Sequence, residues 1–243
     1  MGAKQILPGL YRITLRMAGV PYVNAYLLTG EELVLIDTGL AKRAPTFVRA
    51  LRSLGRRPFD VRHILVTHHH YDHTGSLAKL AEATEARIYV HPADAAVTRG
   101  DAPPPKPSKT TRSARVIGGM MRRFVPERLP HVSIGHELQD DEELPVAGGL
   151  RAIHTPGHTP GHVSFLWPEH GGVLIAGDAA GSMFGRVGPP LGVFTEDDAA
   201  MRRSVAKLAE LPFEVAVFGH GGPVKAGASA KFRQLAARLA RNA

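Results

Sequence analysis

The chain has 243 residues, of which 44% are hydrophobic and 21% charged, and its formal net charge is +8 at pH 7. This length and composition are typical of a globular protein with one large domain or two small ones and a sizeable core. The lack of cysteine excludes disulfides, thiolate metal ligands and a cysteine nucleophile. The N-terminal region has no long apolar run, so we expect no signal peptide, no membrane span, no membrane partner and a cytoplasmic location.

The first third of the sequence predicts strands and then alternating helices and strands. Alternating or β-rich apolar stretches at residues 10–17, 22–30 and 32–39 predict three strands, the last of which ends in a turn. Helical spacing follows over residues 44–55, where Gly55 is the predicted C-terminal cap. A buried strand, a helix and another strand come next: residues 61–67, 76–84 and 86–91. The order indicates an α/β fold.

Much of the positive charge lies between Arg99 and Arg128, where eight basic residues accompany only two acidic ones. The proline-rich stretch 103–109 marks this segment as a loop, and a short helix is predicted at 112–124. We interpret residues 99–130 as an excursion within a single domain that spans 1–243. It is either a solvated surface or a lid that attracts anionic small-molecule substrates. A nucleic acid partner is not expected, because aromatic residues hardly interleave with the charges.

Strand and helix signals return in the last third of the chain. Four apolar stretches predict strands: residues 150–155, 162–168, 172–178 and 214–220. Helical spacing predicts a helix at 196–211, with Thr195 as its N-terminal cap, and a final helix at 229–241.

The stretch from Val66 to Ser76 places four histidines and one carboxylate directly after a predicted strand. These residues are His68, His69, His70, Asp72 and His73. Residues two apart in an extended segment point the same way, so His68 and His70 share one side and His69 points elsewhere.

A structural role is conceivable for each of these residues alone. Asp72 or Thr74 could cap the next helix, and a single histidine could end a strand. A dense cluster of neutral histidines has no packing rationale, however. Imidazole nitrogen and carboxylate oxygen are natural ligands of zinc or iron, so the cluster predicts a metal site.

Three later residues of the same chemical types also follow apolar strands. His158 lies in a Pro/Gly loop, Asp178 ends one predicted strand, and His220 ends another. Open α/β sheets place ligands at the carboxyl ends of their strands, so these residues are candidates to complete the site.

The sequence HHHYDH at residues 68–73 fits the HxHxDH motif of the metallo-β-lactamase-fold superfamily, and the later TPGH, AGD and GHG segments follow in that family's order. The chain therefore resembles this superfamily, in particular its glyoxalase II and lactonase-like members, from about Leu10 to its end. The resemblance implies an α/β fold of the four-layer αββα sandwich type, with a metal site at one edge of two sheets.

The resemblance also implies the ligands of two metal ions. The first ion would be bound by His68, His70 and His158. The second would be bound by Asp72, His73 and His220, and Asp178 would bridge both. His154 and His162 are alternatives to His158; the family pattern favours His158 and leaves His162 a supporting or strand-start role. Asp37, in the LIDTG turn, either orients the ligand loop or only forms the turn.

The implied chemistry is hydrolysis by a hydroxide held between two zinc ions, with iron or manganese as alternative metals. Asp72 would be the catalytic residue that orients the nucleophile and carries its proton to the leaving group. The implied substrates are esters, thioesters or lactones.

Two other activities and a non-enzymatic binding module are the alternatives. A mononuclear iron sulfur dioxygenase of the same fold would use only one metal, and the basic segment weakly favours a phosphodiesterase or nuclease. The lack of cysteine excludes the Asp–Cys–His arrangement of some β-lactamases. A binding module is the least favoured, because an open metal site has no structural purpose.

Residues 182–195 follow Asp178 directly and are rich in glycine and proline. We interpret them as a loop near the metals. Four of its side chains could shape a substrate pocket: Met183, Phe184, Arg186 and Phe194. The alternative is a surface loop that packs on its own side chains.

Overall fold

The computed structural model of the chain describes residues 2–17, 19–105, 126–190 and 192–241. The strands are β1 Lys4–Leu7, β2 Leu10–Met17, β3 Val20–Thr29, β4 Leu33–Ile36, β5 Val61–Leu65, β6 Arg87–Val90, β7 His136–Glu137, β8 Glu142–Leu144, β9 Leu150–His154, β10 Val163–Trp167, β11 Val173–Ile175, β12 Gly181–Met183, β13 Arg186–Gly188 and β14 Val215–Val217. The helices are α1 Ala44–Ser53, α2 Tyr71–Thr74, α3 Leu77–Thr84, α4 Pro92–Arg99, α5 Asp198–Ala209 and α6 Ala228–Arg241.

The strands form two sheets and one separate hairpin. The first sheet contains β1 to β7 in chain order, and the second has the order β14, β11, β10, β9, β8. Strands β12 and β13 pair only with each other. In the first sheet β5 runs parallel to β4 and β6, and in the second β11 runs parallel to β14. The loops that follow β5, β11 and β14 therefore leave from carboxyl ends of parallel strands, where α/β sheets carry their sites.

Three apolar clusters separate four layers. One lies between the sheets and includes Leu28 and Phe165. The second joins the outer face of the first sheet to α1 and α3, and the third joins the outer face of the second sheet to α5 and α6. Alternation along β3 explains how one strand serves two clusters, because Leu28 faces the inner cluster and Leu27 the outer one. This arrangement confirms the predicted αββα sandwich.

The predicted cap of the helix that begins near residue 196 is wrong. The N-cap of α5 is Asp197, whose Oδ1 accepts a hydrogen bond from the Ala200 amide at 2.9 Å. The backbone amide of Asp197 is bound to the carbonyl of Gly157 at 2.9 Å, and Asp197 itself is extended, so the helix begins only after this residue. Thr195 is therefore too early to cap the helix, although its residue type suits the role.

The two ends of the basic excursion meet. The Val132 amide donates to the Arg99 carbonyl at 3.3 Å, and the Arg128 guanidinium donates to the Asp101 carbonyl at 2.5 Å. Residues 106–125, with the predicted short helix and most of the predicted lid, lie outside the described residues. The description of 1–243 as one domain stays a prediction.

Across the described ranges, no helix combines the length and the apolar character that crossing a bilayer requires.

Candidate metal centre

The structure brings the predicted ligand residues together at one edge of the sandwich. His68 and His70 leave β5, and the short helix α2 that follows carries Asp72 and His73. The other three candidates lie after β9, β11 and β14: His158, Asp178 and His220. Neither Asp72 nor Thr74 caps α3, because α3 begins after Ser76, so the helix-cap interpretation of these residues is wrong.

The first triad consists of His68, His70 and His158. The ring centroid of His68 lies 4.7 Å from that of His70 and 4.8 Å from that of His158, and the rings of His70 and His158 are 4.6 Å apart. One ligand nitrogen from each lies within 4.8 Å of the others. His68 and His158 are 0% and 3% exposed. Three imidazoles packed around a common point, at the bottom of a buried site, are suited to hold one cation.

The second triad consists of Asp72, His73 and His220. The Nε2 atom of His220 lies 3.3 Å from Oδ2 of Asp72, and Nε2 of His73 lies 4.0 Å from the same oxygen. Nδ1 of His220 donates to the carbonyl oxygen of Tyr22 at 2.6 Å, which turns Nε2 towards the two aspartates.

Asp178 lies between the two triads. Its Oδ2 is 3.3 Å from Nε2 of His158 and 3.3 Å from Nε2 of His220, and its Oδ1 is 3.6 Å from Nε2 of His73. One carboxylate thus reaches both groups. Close approach depends on Gly219, because a Cβ at that position would lie 2.1 Å from Oδ1 of Asp178.

The donor atoms of the centre fit metal ions. Several of them are buried without a hydrogen-bond partner among the described residues: Nε2 of His68, Nε2 of His73, both ring nitrogens of His158 and Oδ1 of Asp178. Buried polar atoms that lack a partner are unfavourable, so this concentration calls for a ligand. Imidazole nitrogen with carboxylate oxygen is the donor set of zinc, iron or manganese.

Burial keeps the first triad neutral. It lowers the pKa of His68 and of His70 well below the usual value, and the neighbouring histidines add to the effect. It lowers the pKa of His158 to about 4, although Asp178 opposes the shift. Neutral imidazoles keep a lone pair for a metal at neutral pH.

Carboxylates dominate the second triad. Burial alone would lower the pKa of His73, but Asp178, Asp37 and Asp72 outweigh it and raise that pKa to about 9. Asp178 and Asp72 raise the pKa of His220 to about 11, again against its burial. Burial raises the pKa of Asp72, and the charges of His73 and His220 more than reverse this, so that Asp72 is ionised. Without a metal ion, the carboxylates therefore keep protons on both histidines at neutral pH, and a bound cation would have to displace them.

Asp37 supports ligands of both triads. Its Oδ2 is 2.8 Å from Nδ1 of His73 and accepts a hydrogen bond of 2.8 Å from Oγ1 of Thr67. The same hydroxyl lies 2.9 Å from Nδ1 of His68. Because the hydroxyl donates to Asp37, it can accept from His68 Nδ1–H, which leaves Nε2 of His68 as the lone-pair atom. Asp37 has a φ of 61°, in the left-handed region that suits a turn. It therefore forms the turn and also contacts His73, so both roles considered for it are present.

Asp94 fastens the loops of the first triad to each other, a role that the sequence did not reveal. Its fully buried carboxylate accepts hydrogen bonds from the amide of His69 at 2.9 Å, the hydroxyl of Thr159 at 2.7 Å and the amide of Gly161 at 2.7 Å. His69 neighbours His68 and His70, and Thr159 neighbours His158, so one carboxylate fixes the spacing of all three ligands. Burial raises the pKa of Asp94, but the hydrogen bonds from His69 and Thr159 outweigh this and hold it well below its usual range.

The ring of His69 points away from the metal centre, as predicted. Its Nδ1 lies 3.1 Å from Oδ2 of Asp94, and its Nε2 lies 3.8 Å from Oε1 of Glu196. The backbone amide of Glu196 donates to the carbonyls of Gly157 and His158. In the sequence, the residues around Glu196 indicate only a helix start, so no local pattern marks Glu196 as a neighbour of the centre.

The other two loop histidines have different positions. Nε2 of His162 accepts a hydrogen bond of 2.9 Å from the Asp178 amide, and its Nδ1 lies 2.8 Å from Oγ1 of Thr155. Burial lowers its pKa to about 3. His162 therefore orients Asp178. His154 instead stacks on the ring of His91 at 3.9 Å.

The predicted loop at residues 182–195 contains regular structure. Ser182 and Val187 pair across the hairpin of β12 and β13, and a 3-10 turn covers Gly192–Phe194. The Ser182 amide donates to the carbonyl of His220 at 3.3 Å, so the hairpin starts beside the centre. The predicted pocket role of its side chains stays a prediction.

A layered αββα fold with clustered histidines and aspartates at a sheet edge defines a class of metal-binding enzymes. Residues 18–220 match the metallo-beta-lactamase superfamily, and the chain belongs to that family. It is a metal-dependent hydrolase in the general sense of the family.

The relatives agree with this assignment. The chain is 30% identical over 232 residues to the probable metallo-hydrolase YflN of Bacillus subtilis (strain 168), covering 89% of this chain and 85% of that protein. It is 30% identical over 194 residues to a hydroxyacylglutathione hydrolase of Pseudomonas aeruginosa, covering 78% of this chain but only 57% of that enzyme. A solved metallo-beta-lactamase family protein from Thermus thermophilus has a TM-score of 0.72 and 32% identity, with 98% of this chain and 80% of that chain covered.

Proposed function

We propose that this chain is a hydrolase that uses two metal ions, most suitably zinc, to cleave an ester, thioester or lactone in a small molecule. The observation that carries the proposal is the second triad. A centre for one ion needs only His68, His70, His158 and Asp178, whereas Asp72, His73 and His220 form a further ligand group within reach of the same Asp178.

Each triad has a distinct task in the proposed reaction. The first triad and Asp178 would hold one ion, and the second triad, also with Asp178, would hold the second. A pair of divalent ions, when bound, lowers the pKa of water to about 7 and polarises a substrate carbonyl. The neutral histidines of the first triad provide lone pairs, and the ionised aspartates balance the charge of the ions.

Asp72 is the proposed proton carrier. Its side chain is 18% exposed, which makes it more accessible than the buried Asp178 at 8%. Its pKa lies below the usual range, so it is ionised and has oxygens free of protons. In this role it would take a proton from the attacking water and pass it to the leaving group. The Tyr22 ring packs edge-on against the ring of His220, with the ring centroids 5.3 Å apart.

The relatives support hydrolysis without naming the substrate. One relative is called a hydroxyacylglutathione hydrolase, but this chain spans little more than half of it, at 57%. A thioester is therefore one candidate beside esters and lactones. The predicted attraction of anionic substrates by the basic excursion and the predicted cytoplasmic location remain parts of this proposal.

Metal analysis and a substrate panel test the proposal. We expect about two zinc ions per chain and turnover of a thioester or a lactone. His220→Gln should reduce the metal content to about one ion and abolish turnover, whereas the exposed His131→Gln should change neither. One iron per chain with oxygen uptake would instead identify a dioxygenase. Turnover of a bis-aryl phosphodiester alone would identify a phosphodiesterase, and either result would overturn the proposal.

A further inference from the structure

The hairpin of β12 and β13 presents two large apolar side chains to solvent at its tip. Met183 is 71% exposed and Phe184 is 98% exposed. Both exceed the other exposed large hydrophobic residues of the described ranges, of which Val20 at 65% comes next. Exposed apolar groups at a protruding turn are costly in water and indicate a surface that is covered in another setting.

The backbone at this tip makes the phenylalanine more unusual. The turn consists of Phe184 at φ 49° and Gly185 at φ 75°. A two-residue hairpin turn with positive φ at both positions favours Asn followed by Gly. Phenylalanine is thus unfavourable here both for its backbone and for its exposure, so folding does not explain its presence. Such a locally unfavourable residue suggests a function.

The base of the hairpin is fixed, so the tip projects from a defined position. Val187 is buried against α6, and the Ser182 amide is bound to the carbonyl of His220. From α6, Lys231 Nζ donates to the carbonyl of Gly185 at 2.8 Å, and the Arg238 guanidinium donates to the carbonyl of Val187 at 3.2 Å.

Positive charge surrounds the tip. A cavity of about 170 Å³ lies between the hairpin and α6. Its charged lining residues are Arg186, Lys231 and Arg238. Within the described ranges, none of the three forms an ion pair with a carboxylate. Residues 179–195 and 215–243 contain no aspartate or glutamate, so the sequence provides no acidic neighbours in these segments.

We propose that the face formed by the hairpin and α6 docks on the surface of an anionic phospholipid bilayer. Phe184 and Met183 enter the boundary between headgroups and acyl chains, and Arg186, Lys231 and Arg238 face the lipid phosphates. A free anion would leave the apolar tip in water, and an apolar protein partner would leave the cations without counter-charges. A bilayer surface satisfies both features together.

This docking differs from the expectation of no membrane partner. That expectation rested on the lack of a spanning segment, and a surface hairpin needs none. Because Ser182 is bound to the carbonyl of His220, docking through this hairpin places the metal centre close to the lipid surface.

Sedimentation with vesicles tests the proposal on the full chain. We expect binding to phosphatidylcholine vesicles that contain phosphatidylglycerol, little binding to phosphatidylcholine alone, and weakening by added salt. Phe184→Asn should lower vesicle affinity about tenfold or more. The same variant should unfold at an unchanged or higher temperature, because Asn suits the turn. A loss of binding can therefore be separated from a loss of folding.

Two further variants complete the test. Arg186→Gln should lower vesicle affinity about fivefold, and Val20→Ser, on a different hairpin, should bind as the unchanged chain does. The proposal is overturned if Phe184→Asn binds vesicles normally or if Val20→Ser loses as much affinity. It is also overturned if the chain binds inorganic phosphate, or an oligonucleotide offered in place of vesicles, as tightly as it binds the vesicles.

Discussion

The two triads of the centre differ in the protonation of their histidines. The first is built from three buried histidines whose pKa values are lowered, so that each keeps a lone pair. The second is more open, since the side chains of Asp72 and His220 are 18% and 36% exposed, and carboxylates raise the pKa values of its histidines. Burial keeps the histidines of the first triad free of protons, whereas the carboxylates of the second keep protons on its histidines until a metal ion displaces them.

The supports of the two triads also differ. Asp94 ties together the two loops that carry the first triad. Asp37 orients His73 of the second triad directly and reaches His68 only through Thr67. The comparison therefore predicts that substitutions at these aspartates affect different metal ions. Asp178 differs from both of these aspartates because it contacts ligands of both triads.

Asp178→Asn should have the largest effect, because it weakens both triads at once. We expect the affinity for both ions to fall by more than about a hundredfold, beyond the loss usual for supporting residues. Competition with a chromophoric chelator measures the dissociation of each of the two ions. The surface variant Asp140→Asn is the control, because it loses the charge of a bridge to Lys207 and keeps an oxygen that can accept from the His154 amide. Retention of either ion with normal affinity would contradict the shared role of Asp178.

Asp94→Asn should affect metal binding at the two triads differently. An asparagine cannot accept all the hydrogen bonds from His69, Thr159 and Gly161, so the ligand loops of the first triad lose their fixed spacing. The affinity of the first triad should fall about ten- to a hundredfold, and that of the second should change little. The chelator titration resolves the two steps, with Asp101→Asn just beyond α4 as the control. Equal losses at both steps would show that Asp94 is a general structural residue.

Asp37→Asn should affect mainly the second triad, by about tenfold, because His73 loses the carboxylate at its Nδ1. A smaller effect on the first triad should pass through Thr67. Thr67→Val isolates that path, since it removes the link to His68 and leaves the contact between Asp37 and His73 intact. This division of roles is wrong if Thr67→Val lowers the affinity for the second ion as strongly as Asp37→Asn does.

The smallest expected effect is a pH dependence of stability. The hydrogen bonds that Asp94 accepts hold its pKa below the unfolded value of about 3.9. Its contribution to stability is therefore present above that pH and is lost as the pH falls below it. Urea unfolding of the metal-free chain measures the free energy of unfolding. The difference in this free energy between the unchanged protein and Asp94→Asn should narrow by about 1 kcal/mol below pH 4. A constant difference would mean that the charge of Asp94 is unimportant.

The sequence was sufficient to predict the four layers and the residues that meet at the centre. His68 to His73 lie in one motif, and His158, Asp178 and His220 each follow an apolar strand, so local patterns locate them. Asp94 was not identifiable in this way. It lies in the first turn of a helix, where an acidic residue is ordinary, and its partners Thr159 and Gly161 are more than sixty residues away along the chain.

The other errors arise where the local sequence suits two different structures. Thr195 and Asp197 are both suitable caps, and only the hydrogen bond from the Asp197 amide to Gly157 decides between them. Residues 182–195 are rich in glycine and proline, which predicts a loop, and Phe184–Gly185 is not a usual hairpin turn. The pairing that forms the hairpin depends on α6, which lies far along the chain.

Because the two ends of the basic excursion meet, its length can change without moving the sandwich. Since Arg99 and Val132 are already joined by a hydrogen bond, the stretch between them is inserted at a single point of the sandwich. Exchange or shortening of this insert would leave both sheets and all the candidate ligands in register.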